Sequence, residues 1–393
     1  MTPPESVDDA GHKPSGEATS AWSPLRNGLF RSLWIATIVS NVGTWMQDVG
    51  AGWLMTSLSS SPSLVALVEA ADSIPLMLLA LPAGALADIV DRRRLLIVVQ
   101  IYLMVVAGML GILTLAGMTT AWVLLGFVFA LGVGSAMMMP AWSAIVPDLV
   151  RPDELSSAVA LNSIAINVSR AIGPAIAGVL VAAVGAWLVF VLNALSYIGI
   201  LAVLAKWKRE HRKSTPPAER FLSALRVGMR FVMHTHALQI VLIRGAGFFV
   251  FASATWSLFP LIVRRELGQG PEIYGLLLTC IGIGAVAGAV LLPRVRGNLS
   301  RDVLVAGASV LYALAALALA HMQNLVLLSV AMLATGAAWI SILSALQVSA
   351  QLTLPAWVRA RGLRHSSSCS WAGWHLAASC GDRWPRASAY PRR

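Results

Sequence analysis

The chain has 393 residues, of which 57% are hydrophobic and only 12% carry a charge. A soluble domain has about 25% charged residues, so this composition excludes a soluble enzyme and indicates a protein whose surface faces lipid. The formal net charge of +11 would suit a nucleic-acid-binding protein, but the positions of the basic residues argue against that class. The three cysteines lack the spacing of a disulfide framework or a metal site, and we expect no metal ion and no cofactor.

Residues 1–28 are polar and rich in Pro, Ser and Gly, which predicts a disordered segment. They lack the short apolar core and the cleavage site of a signal peptide. Ten apolar segments follow that are long enough to cross a bilayer. They lie at 32–56, 64–87, 95–116, 121–146, 158–183, 185–205, 240–263, 273–293, 303–321 and 325–350. We therefore expect a six-helix bundle over residues 29–205 and an incomplete, four-helix bundle over residues 237–363.

Basic residues concentrate in alternate loops between these segments. The loops on this side contain Arg92, Arg93, Arg94, Arg151, the segment 206–230, Arg294, Arg296, Arg301, Arg359 and Arg361. On the opposite side only one loop is basic, the one that holds Arg264 and Arg265. Positive charge marks the cytoplasmic side of a multi-pass protein, which predicts a cytoplasmic N-terminus. Because these charges form no compact basic domain, we exclude nucleic acid as a partner.

The longest basic loop, residues 206–236, carries an apolar pattern at helical spacing with arginines between its members. The apolar positions are Phe221, Leu222, Leu225, Met229 and Val232, and the arginines are Arg220, Arg226 and Arg230. This pattern predicts an amphipathic helix that lies on the anionic cytoplasmic leaflet.

Four charged residues lie inside the predicted spans, namely Asp48, Glu69, Asp72 and Arg170. A charge within the bilayer is costly and usually faces a cavity or a partner. Glu69 and Asp72 are three residues apart and therefore share one helix face. These residues are candidates for a proton relay or for contacts with a charged substrate. The structural alternative is an internal ion pair or a side chain that reaches the headgroups, and pairing within the bundle applies most to Asp72.

Two motifs bear on how the helices pack. After the second span the chain reads G-A-L-A-D-I-V-D-R-R-R over residues 84–94, where the small residues allow helices to approach closely. In the fifth span it reads R-A-I-G-P-A-I-A-G over residues 170–178. This Gly-Pro pair predicts a kink at mid-membrane, which would free backbone groups for a neighbour or a cavity to satisfy.

These motifs resemble those of the major facilitator superfamily, and the chain is similar to its branch of transmembrane secretion effectors. The loop motif is carried by Gly84, Leu86, Asp88, Asp91, Arg92 and Arg93. Asp91 stands where many members have Gly. The stretch with Gly173, Pro174 and Gly178 is similar to the fifth-span motif of drug–proton antiporters, but its upstream glycines are absent. Segments 41–53 and 147–155 also resemble this branch, and the resemblance runs over residues 29–363.

The resemblance implies an all-α membrane protein with a major-facilitator-type helical bundle, of about ten transmembrane helices here against twelve in the family. It also implies a proton-coupled exporter of small, drug- or siderophore-like molecules, with the substrate bound at mid-membrane. By analogy, Asp88 and Arg92 would latch the cytoplasmic side of one state. We expect a monomer in the bacterial inner membrane, whose partners are a small-molecule substrate, protons and the lipid bilayer.

The sequence offers little support for catalysis. It contains no nucleotide-binding motif. His321 lies near the end of a span, and Cys280 stands alone within another. We therefore expect that the protein is not an enzyme and that it does not use ATP directly.

The last segment, residues 364–393, differs abruptly from the rest, because it contains no Ile, Val, Met, Phe or Lys. When its codons are read in a shifted frame, the degeneracy of the genetic code yields mainly apolar and small residues, as in a membrane span. We expect an out-of-frame tail that replaces the last two spans of the family, and the alternative is a natural polar tail. The alternatives to transport are a truncated, non-transporting remnant and a membrane protein that acts only through partners.

Overall fold

The computed structural model of the chain describes residues 20–207, 235–296 and 300–353. Within these ranges the chain forms ten long α-helices, which we number α1 to α10. Their bounds are α1 Gly28–Leu58, α2 Pro62–Ile89, α3 Arg92–Leu115, α4 Ala121–Leu149, α5 Leu155–Ala183, α6 Ala186–Lys206, α7 His236–Arg265, α8 Pro271–Arg296, α9 Arg301–His321 and α10 Leu325–Thr353. Each predicted span coincides with one helix to within a few residues, and the predicted all-α membrane fold is confirmed.

In the same ranges, nine of the ten helices are long and apolar enough to cross a membrane. The other helix is α1, whose apolar character is diluted by polar residues such as Asn41, Thr44 and Asp48. Its 31 residues would extend for roughly 45 Å at the usual helical rise, which exceeds the thickness of a bilayer core. Because α1 also packs against α2, α5 and α6, it belongs to the same layer of helices.

The outer surface of this assembly is apolar. Large hydrophobic side chains are exposed on several helices, among them Val98, Ile112, Phe251 and Val326. Phe251 has 81% of its surface exposed, which is unfavourable in water but has no such cost against lipid tails. The low charge of the sequence is thus explained by a surface that contacts hydrocarbon.

Local sequence signals set the helix ends. The side chain of Asn27 accepts hydrogen bonds from the first turn of α1, and Asp91 and Thr120 cap α3 and α4 in the same way. Beyond α3, Gly117 has a φ of 69°, a left-handed conformation that glycine adopts readily. The predicted break between the third and fourth spans therefore falls at this glycine.

The helices pack in two sets. In the first, α1 contacts α5 and α6, α3 contacts α4 and α6, and α2 contacts α4. In the second, α10 contacts both α8 and α9, and α7 contacts these three helices. The sets meet mainly where α5 packs against α8 and α2 packs against α7. We call the end with the α1–α2 and α7–α8 loops the distal end, and the end with the α2–α3 and α4–α5 loops the proximal end.

Some predictions concern residues outside the described ranges. These are the first 19 residues, the amphipathic helix over residues 221–232 and the aberrant tail over residues 364–393. Within the segment 1–28, the expected disorder does not extend to Ser23–Arg26, which forms a short 3-10 helix packed on α1 and α5. Ser23 and Pro24 are buried there, so packing orders a stretch whose composition favours disorder.

Candidate functional site

Three of the four intramembrane charges, Asp48, Glu69 and Asp72, converge inside the helix assembly. Asp48 lies on α1, the two other acids lie on α2, and all three are exposed. The residues on either side of Asp48, Gln47 and Val49, are buried, with 6% and 1% of their surface exposed. Asp48 lies within electrostatic range of both Glu69 and Asp72. We call these three residues the acidic cluster.

Helices from both sets surround the acidic cluster. Tyr197 of α6 lies within electrostatic range of Asp48 and Asp72, and Tyr274 of α8 lies within range of Asp48 and Glu69. Both tyrosines are buried. If the carboxylates of the cluster lay on the lipid-facing sides of α1 and α2, they could not be close to both α6 and α8. Their exposed surface therefore belongs to a space enclosed between the helices.

A buried polar contact fixes α1 against α6 beside the cluster. Asn193 of α6 is fully buried, and its Nδ2 donates a hydrogen bond of 2.7 Å to Oε1 of Gln47. The same Nδ2 lies 3.2 Å from the hydroxyl of Tyr197. A Cβ on Gly43 would lie 2.7 Å from Oδ1 of Asn193, so glycine is needed for this close approach. Because Gln47 precedes Asp48, this contact sets the rotation of α1 that turns Asp48 to the enclosed space.

Arg170, the fourth charge, has a different environment. Its guanidinium carbon lies 5.3 Å from the ring centroid of Trp45, a cation–π arrangement between α5 and α1. Among the described residues its Nε is buried without a hydrogen-bond partner, and it forms no ion pair with the acidic cluster. The structure thus holds Arg170 with an aromatic ring rather than with a carboxylate.

The fifth-span motif lies where α5 contacts two neighbours. α5 continues through Pro174 as one helix. A Cβ on Gly173 would lie 3.2 Å from the carbonyl oxygen of Val42 on α1, and a Cβ on Gly178 would lie 3.1 Å from the Cα of Gly275 on α8. The two glycines therefore allow the backbone of α5 to approach α1 on one side and α8 on the other.

Glycines of α8 complete this contact. A Cβ on Gly275 would collide with the carbonyl oxygen of Pro174, and a Cβ on Gly282 would lie 2.9 Å from the Cα of Ala171. Sequence analysis did not single out these α8 residues. The signal that would have found them is the run of small residues between Gly275 and Gly288, at spacings that share a helix face.

Arginines close the distal end between the two sets of helices. Arg264 at the end of α7 donates a hydrogen bond of 3.0 Å to Thr56 Oγ1 and another to Ser57 Oγ. Its guanidinium also lies 5.6 Å from the ring centroid of Trp53, and Arg265 donates a hydrogen bond of 2.7 Å to the carbonyl oxygen of Ser60. These contacts, which we call the distal latch, give a role to the one basic loop that stands outside the alternating pattern.

The loop motif lies at the proximal end, where it joins helices of the first set. Asp91 caps α3 by accepting a hydrogen bond from the Arg94 amide. Arg92 lies 4.0 Å from a carboxylate oxygen of Asp148 at the end of α4. Arg93 donates hydrogen bonds to the carbonyl oxygens of residues 204 and 205. These bonds satisfy carbonyl groups at the end of α6 that have no partner within the helix.

The remaining residues of the loop motif belong to α2. Gly84 and Leu86 lie near the end of α2, and a Cβ on Gly84 would meet nothing within 4 Å. Asp88 also belongs to α2, but its side chain lies outside the described part, so its latching role stays a prediction. Asp148, the partner of Arg92, was not predicted, because the pairing of two distant helix ends cannot be read from spacing along the chain.

In the parts of the chain that the structure describes, no three His, Cys, Asp or Glu side chains are arranged as metal ligands. The cluster can exchange protons or attract a diffuse positive charge. Its carboxylates face a space between the helices, and among the described residues they form no ion pair with a Lys or Arg side chain.

Comparisons with known proteins agree with this architecture. A family model described as transmembrane secretion effector matches residues 19–374. The staphyloferrin A transporter of Staphylococcus aureus is 28% identical over 260 residues, which cover 65% of this chain and 64% of that protein. The match thus spans less than two thirds of that relative. Macrolide efflux protein A of Streptococcus pyogenes is 22% identical over 289 residues, which cover 72% of this chain and 70% of that protein.

The fold has a counterpart among solved structures. The crystal structure of the nucleoside transporter NupG superposes with a TM-score of 0.72 and covers 89% of each chain at 10% identity. At this identity the likeness concerns the fold alone. The predicted major-facilitator fold is therefore confirmed by the helix arrangement, and the predicted branch is confirmed by the family match over most of the chain. This multi-pass membrane protein belongs to the transmembrane secretion effector family of the major facilitator superfamily.

Proposed function

We propose that this protein is a proton-coupled exporter of small organic molecules in the bacterial inner membrane. The observation that carries the proposal is the acidic cluster, three carboxylates that face an enclosed space between α1, α2, α6 and α8. Ionisable groups within a membrane protein mark pathways for protons or substrates. The family and the name of the macrolide efflux relative support export as the direction.

The proposed mechanism is alternating access. A carboxylate that is protonated on the outside and deprotonated on the inside carries a proton inward while the substrate leaves. The distal latch favours a state that is closed at the distal end, and the positive-inside pattern assigns this end to the outside of the cell. The close glycine contacts between α5 and α8 form the junction about which the two sets of helices would rock.

The test is substrate-dependent proton flux. The full chain is reconstituted in liposomes with a pH gradient and a pH-sensitive dye, and a panel that includes a macrolide and staphyloferrin A is added. We expect at least one compound of the panel to accelerate the collapse of the gradient, and we expect Asp48→Asn to abolish the acceleration because a neutral side chain at this position cannot carry a proton.

The matched control is Asp153→Asn, which removes the same charge from an exposed surface pair with Arg151. This variant should keep the flux of the unmodified protein. A folded protein for which no compound changes the proton flux would contradict the proposal and would favour a remnant that does not transport. Equal flux from Asp48→Asn and the unmodified protein would remove the acidic cluster from the mechanism.

A further inference from the structure

Arg170 is a buried cation that lacks an acceptor for its N–H groups. The ion pairs found within the described ranges involve Arg92, Arg151 and Arg244, and none involves Arg170. Its Nε is buried and has no hydrogen-bond partner among the described residues. The cation–π contact with Trp45 engages the charge of the guanidinium, but an indole ring provides no oxygen acceptor for the N–H groups. A buried donor of this kind is costly unless a bound molecule or ion pairs with it.

The guanidinium belongs to a position where three helices meet. Gly173, three residues after Arg170 on α5, contacts α1, where its Cβ would lie 3.2 Å from the carbonyl oxygen of Val42. A Cβ on Gly282 of α8 would lie 3.0 Å from the carbonyl oxygen of Arg170 itself. Residues three apart share a helix face, so Arg170 lies at the junction of α1, α5 and α8. We call this position the seam.

The seam borders the enclosed space that the acidic cluster faces. Trp45, which contacts the guanidinium, precedes Asp48 by three residues on α1, so the two side chains lie on one side of that helix. At the usual helical rise they are about 4.5 Å apart along the axis. α8 borders the same space, because Tyr274 lies within electrostatic range of Asp48. The space between the helices therefore has a guanidinium at one level and carboxylates about one turn away.

A hydroxyl of α8 belongs to the same seam. Thr279 lies four residues after Gly275 and three before Gly282, and both glycines contact α5. Its Oγ1 is buried and has no hydrogen-bond partner in the part of the chain that the structure describes. On α10, by contrast, the hydroxyls of Thr335 and Ser341 donate to carbonyl oxygens of their own helix. The seam thus carries a second polar group that a bound molecule would satisfy.

The groups at the seam favour one kind of anion. A guanidinium donates two parallel hydrogen bonds to a carboxylate, and the carboxylate oxygens can accept a further bond from a hydroxyl group. The ring of Trp45 beside the guanidinium offers apolar surface to the rest of an organic molecule. An inorganic anion such as sulfate would use the donors but would gain nothing from the ring.

We propose that Arg170, Thr279 and Trp45 form a binding site for the carboxylate group of an organic anion with an apolar body. Arg170 supplies the charge and the paired hydrogen bonds, Thr279 supplies one further donor, and Trp45 contacts the apolar body. The inference rests on the proposed function, because the anion is a molecule that the same transporter would carry.

The experiment compares two probes of the same shape that differ in charge. 1-Naphthoate and its neutral amide, 1-naphthamide, are titrated into the purified full chain in detergent, and binding is measured by calorimetry. We expect naphthoate to bind at least about tenfold more tightly than naphthamide, because a charged hydrogen-bonded pair away from water changes affinity by at least that factor. Equal affinity of the two probes, or no binding of naphthoate, would overturn the proposal.

Sulfate distinguishes an organic from an inorganic ligand. Titrated alone, it should bind at least about tenfold more weakly than naphthoate, because it buries no apolar surface against the ring. Sulfate that binds as tightly as naphthoate would assign the seam to inorganic anions and refute the organic class.

Variants locate the site. Arg170→Gln removes the charge and should weaken naphthoate binding about tenfold, while the affinity for naphthamide should stay within about twofold. Arg170→Lys keeps the charge but cannot donate two parallel bonds in one plane, and it should weaken naphthoate binding severalfold. Thr279→Val removes the hydroxyl at nearly constant shape and should also weaken it severalfold. The matched control is Arg244→Gln, because Arg244 pairs with Asp302 away from the seam; its affinity should stay within about twofold.

The outcomes separate this inference from the proposed function. Unchanged naphthoate binding by a folded Arg170→Gln protein would place the anion elsewhere and refute the site, and an equal loss of affinity for both probes would reduce Arg170 to a structural role. If that variant does not fold, the Thr279→Val protein and the comparison of probes on the unmodified chain decide. If naphthoate binds through Arg170 but no compound changes the proton flux, the site stands and the proposed function fails. If the flux depends on Asp48 but naphthoate does not bind, the proposed function stands and this inference is wrong.

Discussion

At the scale of single residues, the position of Asp48 depends on polar contacts that are themselves buried. Gln47 accepts a hydrogen bond from Asn193, whose side chain is enclosed between α1 and α6. Successive residues of a helix point about 100° apart, so holding Gln47 toward α6 directs Asp48 toward α2 and α8. The charge of the cluster is thus oriented by a neutral neighbour.

Asn193→Ala should therefore lower the free energy of unfolding. The substitution leaves Oε1 of Gln47 without its donor, and hydrogen bonds between membrane helices contribute about 1 kcal/mol. We expect a loss of this size, measured by unfolding the protein in mixed micelles with increasing sodium dodecyl sulfate. Asn167→Ala is the control, because Asn167 donates only within its own helix, to the carbonyl oxygen of Ser163. Equal stability of the two variants would show that the contact between α1 and α6 contributes nothing.

At the scale of helices, packing depends on the close approach of helix backbones. α8 contacts α5 through Gly275 and Gly282 on one side. On another side it contacts α10, where a Cβ on Gly284 would collide with the carbonyl group of Leu333 and one on Gly336 would collide with that of Ile281. In lipid, where apolar burial does not drive association, such backbone contact is the principal source of packing energy. α8 is therefore the helix that joins the two sets.

Gly275→Leu should prevent this junction from forming. A side chain at this position would meet the backbone of α5 at Pro174, and backbone cannot yield as a flexible side chain can. We expect a large loss of folded, monodisperse protein by size-exclusion chromatography in detergent. Gly126→Leu on α4 should be tolerated, because a Cβ there meets nothing within 4 Å. Normal yield of the Gly275 variant would show that α5 and α8 do not pack this closely.

The distal latch also acts between helices, and Arg264→Ala should weaken it. The substitution removes two hydrogen bonds to the end of α1 and the contact with Trp53. We expect a cysteine at Thr44, on the cluster side of α1, to react severalfold faster with a membrane-impermeant maleimide applied to the distal side.

The control for the latch is Arg244→Ala. Arg244 pairs with Asp302 on α9 within the second set of helices, so its loss should leave the reaction at Thr44→Cys unchanged. A rate that is insensitive to Arg264→Ala would mean that other contacts close the distal end.

At the scale of the whole molecule, the sequence predicts the helices that the structure contains but not the contacts between those helices. Long apolar stretches without charge specify spans strongly, because a charged residue in lipid is so unfavourable, and all ten spans were predicted. The four intramembrane charges were also visible as single residues. Which of these charges lie close together was not visible. The period of a helix shows which face a residue occupies, but it does not show which other helix packs against that face.

Arg264 shows the same limit. In the sequence it is an exception to the alternation of basic loops, and only the position of α1 beside α7 reveals its partners Thr56 and Trp53. Gly275 and Gly282 likewise look like ordinary small residues until α5 is placed against them. Sequence patterns thus predict the helices well and the surfaces between helices poorly.

Orientation in the membrane is a property of the whole molecule and can be tested directly. The positive-inside pattern predicts that the distal end faces the periplasm. In a variant whose three native cysteines are replaced by serine, Ser60→Cys should react with an impermeant maleimide added to intact spheroplasts. Arg151→Cys should react only after the membrane is permeabilised. The reverse result would invert the topology and with it the proposed direction of transport.

The chemistry of the distal latch has a consequence for the environment in which it works. The partners of Arg264 and Arg265 that the structure describes are hydroxyl groups, a carbonyl oxygen and an indole ring, and no carboxylate is among them. Such contacts are neither screened by salt as ion pairs are nor released by acid through protonation of the partner. The medium outside the inner membrane varies in salinity and acidity more than the cytoplasm does. With the distal end on the outside, as the positive-inside pattern predicts, this closure is made of contacts that the surrounding medium does not easily loosen.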